Sequence, residues 1–343
     1  MKRRLLAVVL LAASPLSAAA PERSRTFPPA LLGLAINLES PSAAAGKQAV
    51  EEARRTGVML FGLTVSWSAG EPSPGKYRVD EVARTARLLR QSGATLHIDL
   101  PLVATRVRDV PADLSDVAFD DERLSRRLGR FFDALEPLFL DASTLSLGYE
   151  ADAYFSDKPE ELKAYRLLFE GAVNYLRGRV PHLNVGVTTA APSESVAPTV
   201  AAALHARSPV LFYIYAPFQR DAPFLQRPPD ALEKDWKLLL DRAAGRPIAF
   251  PEVSYSSARE NDSSPEKQAE FVRRLRGLVA GSDGRRLLFA RYVPWRDPAA
   301  TPVLPRGAPE IARRREAFLK NRGLQESNGH SKPAWREWAR MGH

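Results

Sequence analysis

Cysteine is absent from this 343-residue chain, histidine occurs five times and methionine three times. The first absence excludes thiol nucleophiles, Cys-ligated zinc, iron–sulfur clusters and disulfides, so stability rests on packing alone. Residues 33–38, after the first apolar run, read GLAINL and hold no dinucleotide-binding glycine fingerprint. There is likewise no Walker-type phosphate loop and no Gly-x-Ser-x-Gly nucleophile elbow. His97 and Asp99 form half of a metal-ligand pattern, but no second half accompanies them, so neither a metal nor another cofactor is expected.

What is present begins with a basic start, an apolar run from Leu5 to Ala13, a break at Pro15 and small residues from Ser17 to Ala20. That order is the pattern of a secretory signal, which predicts residues 1–20 as a cleaved peptide and a periplasmic or extracellular protein. Nothing later reaches the roughly 18 uninterrupted apolar residues of a bilayer span, so no integral membrane segment is expected after cleavage. Lys and Arg number 49 against 40 Asp and Glu, a net charge of +9. Lys2, Arg3 and Arg4 fall in the signal, and the remaining excess is spread along the chain beside acidic residues. That distribution predicts a solvated surface and no nucleic-acid partner.

Over residues 27–343 the chain alternates short β-rich apolar runs with amphipathic stretches. The runs lie at 31–37, 58–65, 95–100, 144–150, 183–189, 210–216, 247–253 and 286–293. Between them, 79–93 places Val82, Ala86 and Leu89 on one helical stripe and ends in Gly93, while 264–278 opens with Ser264 as N-cap and Pro265 at the first helical position. Eight such units of about 36 residues predict an α/β fold, a single (β/α)8 barrel, with any active site at the C-terminal ends of the strands.

Two carboxylates stand at those ends. Glu150 closes the run LSLGY and Glu252 closes IAFP, each where a buried strand does not carry a charge without a partner or a purpose. Their position on the fourth and seventh runs lets both reach over the barrel mouth, an arrangement suited to glycosidic bond cleavage by an acid and a second, ionised carboxylate. Trp67, Tyr149, Tyr154, Tyr213, Tyr215, Tyr255 and Trp295 fall near the same ends, where aromatic faces suit sugar rings, and Asp152 is a candidate for orienting a sugar hydroxyl or a loop. The main structural alternative for Glu252 is an ion pair, with Arg291 as the candidate partner.

SLGYEADAYF (146–155) and PIAFPEVSYSS (247–257) resemble the two catalytic segments of the retaining glycoside hydrolases built on (β/α)8 barrels, most nearly the endo-β-1,4-galactanase-like branch. WSAGEPSPGKYRVDEV (67–82), DVAFDDERLSRRLGRFFDAL (116–135) and GLQESNGHSKPAWREW (323–338) resemble further stretches of that branch in the same order. The resemblance implies Glu150 as acid/base, Glu252 as nucleophile, Tyr215 as the tyrosine that hydrogen-bonds the nucleophile, Trp295 as an aromatic platform, and a carbohydrate substrate. Two positions depart from the family pattern. Tyr149 replaces the Asn that ordinarily holds the sugar 2-hydroxyl, and LTVSWSA (63–69), which corresponds to where many relatives carry an arginine, has none.

The expectation is therefore an exported retaining glycoside hydrolase for a β-linked poly- or oligosaccharide, with its carboxyls about 5 to 5.5 Å apart and neither tied in a salt bridge. A glycan-binding barrel without turnover is the alternative that Tyr149 favours, and an envelope protein matched by charge to acidic polymers is a weaker third.

Overall fold

The computed structural model describes residues 29–36, 43–192, 195–300 and 309–340. The predicted signal, residues 1–20, lies outside them. Nine parallel strands form one sheet: β1 (Leu31–Leu34), β2 (Leu60–Thr64), β3 (Thr95–Asp99), β4 (Ala142–Ser146), β5 (Asn184–Gly186), β6 (Thr188–Ala190), β7 (Leu211–Tyr215), β8 (Ile248–Val253) and β9 (Leu287–Tyr292). Their order is β5-β4-β3-β2-β1-β9-β8-β7-β6. The two outermost members are consecutive pieces of one run, separated only by Val187, so the sheet closes on itself with eight strand positions. This is the single (β/α)8 barrel that the sequence predicts.

The helices are α1 (Ala43–Arg55), α2 (Trp67–Gly70), α3 (Asp80–Gln91), α4 (Glu122–Phe139), α5 (Ala151–Asp157), α6 (Leu162–Arg179), α7 (Pro198–His205), α8 (Ala231–Arg242), α9 (Pro265–Ala280), α10 (Pro309–Asn321) and α11 (Pro333–Ala339). Local chemistry sets their ends. Ser264 accepts a hydrogen bond from Lys267 N at 3.2 Å and starts α9, and Asp121 accepts one from Arg123 N at 2.8 Å and starts α4. Gly93, with φ of +81°, follows α3 in the left-handed conformation that glycine adopts without strain. In α4 the residues Leu124, Leu128, Phe131, Leu135 and Leu138 recur at helical spacing and are buried against the barrel and α6.

The barrel interior is layered. Leu60, Val210, Phe212, Ala249 and Phe289 form an apolar layer. Beside it His97, whose ring lies 5.4 Å from Phe212 and 5.0 Å from Phe289, begins a polar layer. His97 Nδ1 meets Thr144 Oγ1 at 2.9 Å and His97 Nε2 meets Asp99 Oδ1 at 2.9 Å, while Arg291 Nη2 donates to Asp99 Oδ2 at 3.0 Å and its Nε to Pro251 O at 2.6 Å. Arg291 thus pairs with Asp99 and not with Glu252, a correction to the sequence reading. Burial works against the Asp99 charge, but His97 and Arg291 outweigh it and hold the carboxyl down at about 2.

The guanidinium of Arg291 fills the space that a side chain at position 62 would need: a Cβ on Gly62 would sit 1.3 Å from Arg291 Nη1. Gly62→Ala is therefore expected to displace Arg291 from Asp99 and lower stability by about 3 kcal/mol or more. Denaturant unfolding measures this, and an unchanged midpoint would contradict the packing.

Candidate active site

Glu252 enters the mouth because of a bulge. Along β7 the register advances two residues, from Phe212 to Ile214, while along β8 it advances three, from Ala249 to Glu252. The extra residue puts Glu252 opposite Ile214, on the same side as Phe212 and the interior layer, so a carboxylate that strict alternation would send outward is turned inward. It is only 8% exposed.

Two donors meet that charge. Tyr149 Oη donates to Oε2 at 2.8 Å, and Arg322 Nη1 donates to Oε1. Ser254 Oγ lies 3.3 Å from Oε1, but its single proton is better placed on Val293 O at 2.7 Å, and the same oxygen accepts from Arg322 Nη1 at 3.3 Å. Ser254 therefore holds Arg322 in place more than it solvates Glu252. Each carboxylate oxygen keeps a second lone pair. Burial raises the Tyr149 hydroxyl well above its ordinary range and the Glu252 charge adds to this, so Tyr149 remains a proton donor.

Glu150 is built differently. It follows Tyr149 at the start of α5 with φ +46° and ψ +43°, a left-handed conformation that costs a non-glycine residue of order 1 kcal/mol or more. The hairpin of Val103–Ala104 with Val107–Arg108 holds it there: Tyr149 N donates to Val103 O at 2.9 Å, Thr105 N donates to Tyr149 O at 2.9 Å, and Thr105 Oγ1 donates to Glu150 Oε2 at 2.5 Å. Burial pushes the Glu150 carboxyl above the usual carboxylate range. The Thr105 hydroxyl and Arg315 pull it back, while the charges of Glu252 and Asp152 raise it further. The two carboxyls thus act on one another across the mouth, and among the described residues only Glu252 has an arginine in contact.

The sequence reading assigned no role to Thr105, Ser254 or Arg322. Arg322 was detectable in one respect: it precedes Gly323, the first residue of the tail motif. A Cβ on Gly323 would lie 2.2 Å from Asp297 N, so the backbone here packs directly on the segment after β9 and carries Arg322 over Glu252. The Arg322–Glu252 ion pair contradicts the expectation that neither carboxylate is tied in a salt bridge.

Most of the expected aromatic ring is not at the mouth. Tyr213 and Tyr215 alternate with the inward-facing Phe212 and Ile214 and so face the helices. Tyr213 meets His205 of α7, and Tyr215 stacks on Phe271 of α9 and donates its proton to Asp235 Oδ2 at 2.9 Å, not to Glu252. Tyr149 makes the contact expected of Tyr215. Tyr255 also stacks on Phe271, with its hydroxyl on Arg227 O at 2.8 Å. Trp67 stacks on Phe131 of α4 and donates from Nε1 to Glu71 Oε2 at 2.9 Å. Tyr154 is buried against Phe155 with its hydroxyl on Glu161 at 2.9 Å. Trp295 is buried against Trp335 of α11, beneath the Arg296 guanidinium. Asp152 is buried as well, accepting from Ala190 N at 3.0 Å and Ser195 Oγ at 2.5 Å, so it ties α5 to the segment after β6. Tyr213 and Tyr215 are sealed between barrel and helices because a strand buried on both faces is aromatic or apolar on both.

Among the described residues no group of three or more His, Asp or Glu side chains is arranged to hold a metal, and no helix is long and apolar enough to cross a membrane.

No family model matches this chain, and no curated protein matches it. Solved structures do. The exo-β-1,4-mannosidase Op5Man5 from Opitutaceae bacterium strain TAV5 is similar with a TM-score of 0.66 at 15% identity, over 93% of this chain and 61% of that one. A family 39 glycoside hydrolase from Bacteroides cellulosilyticus WH2 gives 0.63 at 13% identity, over 91% and 63%. GH5_18 from Streptomyces cattleya in complex with GlcNAc gives 0.62 at 14% identity, over 92% and 80%. This chain therefore spans less than two thirds of the length of the first two, and what it shares with all three at such identity is the barrel fold.

Arg322→Met is expected to leave Glu252 with a buried, unmatched charge and to cost about 2 to 3 kcal/mol, a value below that of a fully buried pair because both side chains keep some exposure. The double variant Arg322→Met/Glu252→Gln should recover most of that loss in denaturant unfolding. Additive losses would contradict the pairing.

Proposed function

We propose that this barrel is a glycoside hydrolase acting on a β-linked poly- or oligosaccharide, with Glu150 as general acid and Glu252 as its ionised partner. The unequal setting of the two carboxyls carries this reading. Glu252 has a guanidinium and a phenol donating to it, whereas Glu150 has one hydroxyl donor, and burial together with the Glu252 charge raises its carboxyl. A raised carboxyl of this kind is the one suited to hold a proton for the leaving group. A sugar seated at the mouth would receive that proton on its leaving oxygen, while Glu252 meets the positive charge that develops at the anomeric carbon.

In double displacement Glu252 attacks that carbon, the glycosidic bond breaks as Glu150 gives up its proton, and Glu150 then takes a proton from the water that releases the glycosyl-enzyme. The retaining course rests on the motif resemblance alone, because the Arg322 ion pair removes the free carboxylate from the argument for it. Glu252 activating a water would instead invert the anomeric centre. Tyr149, turned toward Glu252, does not replace the Asn contact to a sugar 2-hydroxyl; it serves the charge. Export is part of the same proposal, on the basic, apolar and small-residue order of residues 1–20.

Two observations favour a second reading, a glycan-binding barrel without turnover. Both oxygens of Glu252 already hold donors, and the aromatic side chains expected as sugar platforms are in the packing. A panel of plant, microbial and envelope polysaccharides separates the two. The proposal expects hydrolysis of at least one, lost by roughly a thousandfold in Glu252→Gln, with the β-anomer as first product by proton NMR. The α-anomer first would overturn retention only; binding without turnover, unchanged in Glu252→Gln, would establish the second reading.

A further inference from the structure

Two residues of the mouth hold left-handed backbones and touch each other. Thr105 has φ +52° and Glu150 φ +46°, and the Thr105 hydroxyl donates to Glu150 Oε2 at 2.5 Å. Thr105 opens the two-residue loop of its hairpin, between the paired residues Ala104 and Val107. A positive φ at that place is adopted by glycine, asparagine or aspartate at little cost, whereas a β-branched side chain there is strained. Among the described residues Thr105 is the one β-branched residue with a positive φ. The turn alone therefore does not explain a threonine.

Nor do the main-chain contacts. Thr105 N on Tyr149 O and Tyr149 N on Val103 O, both at 2.9 Å, need only backbone groups that every residue but proline carries. What threonine adds is its hydroxyl. Among the described residues its one proton has no acceptor other than Glu150 Oε2, and Glu150 Oε1 makes no hydrogen bond. The hairpin thus occupies one carboxyl oxygen and leaves the other open. With Oε2 accepting, the proton of the acid form sits on Oε1.

We propose that Thr105 is a positioning residue for the general acid: it fixes Oε2 of Glu150, so that Oε1 alone gives the proton to the leaving oxygen and, in double displacement, later takes one from water. This rests on the hydrolase reading above and deepens it at the acid. In the first step the bond between the anomeric carbon and the leaving oxygen breaks, its electron pair stays on that oxygen, and the Oε1 proton goes there as Glu252 bonds the carbon. In the second a water oxygen bonds the carbon, Glu252 departs with its electron pair, and the water proton goes to Oε1. As Oε1 gives up its proton the carboxyl becomes charged and the Thr105 hydrogen bond strengthens, so the contact stabilises the transition state more than the ground state. The strained backbone is the structural cost of placing it.

Thr105→Gly removes the hydroxyl, keeps the main-chain contacts and relieves the strained φ, while Thr105→Val removes the hydroxyl and keeps the shape. On the polysaccharide that the unaltered chain hydrolyses, both are expected to lower kcat by roughly tenfold to a hundredfold, the range of a hydrogen bond to a charged group, with KM nearly unchanged. Thr105→Ser should keep most of the rate. The hydroxyl holds the Glu150 carboxyl down, while Glu252, Asp152 and Arg315 act on it alike in every variant, so its loss should move the alkaline fall of activity to higher pH. Thr105→Gly that hydrolyses as fast as the unaltered chain would overturn the proposal, and so would a loss that leaves the pH profile unmoved and that Thr105→Ser does not rescue. Either result leaves the hydrolase reading standing. No hydrolysis by the unaltered chain would overturn both.

Discussion

A carboxylate held almost out of water must be matched, and much of the mouth of this barrel answers to that requirement at Glu252. A one-residue bulge in β8 turns the side chain inward. The hairpin after β3 sets Tyr149, which supplies the donor for one oxygen, and the glycine-dependent contact behind Arg322 supplies the guanidinium for the other. Beneath them Arg291, Asp99 and His97 fill the barrel with a closed polar network that needs neither Glu252 nor a ligand to satisfy it. The two ionic systems are stacked but separate, so the upper one is available for chemistry.

The same requirement explains why two similar residues differ. Glu150 is half-buried and, among the described residues, has no contacting cation, and it is placed by a strained backbone and one threonine hydroxyl. A pair of carboxyls set in unequal surroundings divides one proton between them predictably. The segment that follows the last helix-connected strand, through Arg322, therefore supplies the cation of a site formed by the fourth and seventh barrel strands.

The architecture was legible because parallel strands buried on both faces read as continuous apolar runs, and because Ser264 and Gly93 mark helix ends by chemistry confined to a few neighbours. Glu150 and Glu252 were legible for the complementary reason that each interrupts such a run. That same two-sided burial hid the direction of Tyr213 and Tyr215: when both faces are apolar, alternation does not say which is the inside. The bulge before Glu252 leaves no mark in composition. Arg322 lies 70 residues from its partner and Thr105 lies 45 from Glu150, so only the closed barrel brings them together. The resemblance supplied the roles proposed for the two Glu residues but misplaced the tyrosine, since Tyr149 makes from one strand end the contact sought from another.

The most direct test of the division of labour between the two carboxyls is the turnover of two glycosides that share a sugar and differ in leaving group, one activated aryl and one alkyl, by the unaltered chain and by Glu150→Gln. If Glu150 is the acid, the substitution should slow the alkyl glycoside by a hundredfold or more, on the order expected of general acid catalysis, and the activated one far less, because its leaving group needs little protonation. Equal slowing of the two, or no hydrolysis of either by the unaltered chain, would contradict the account.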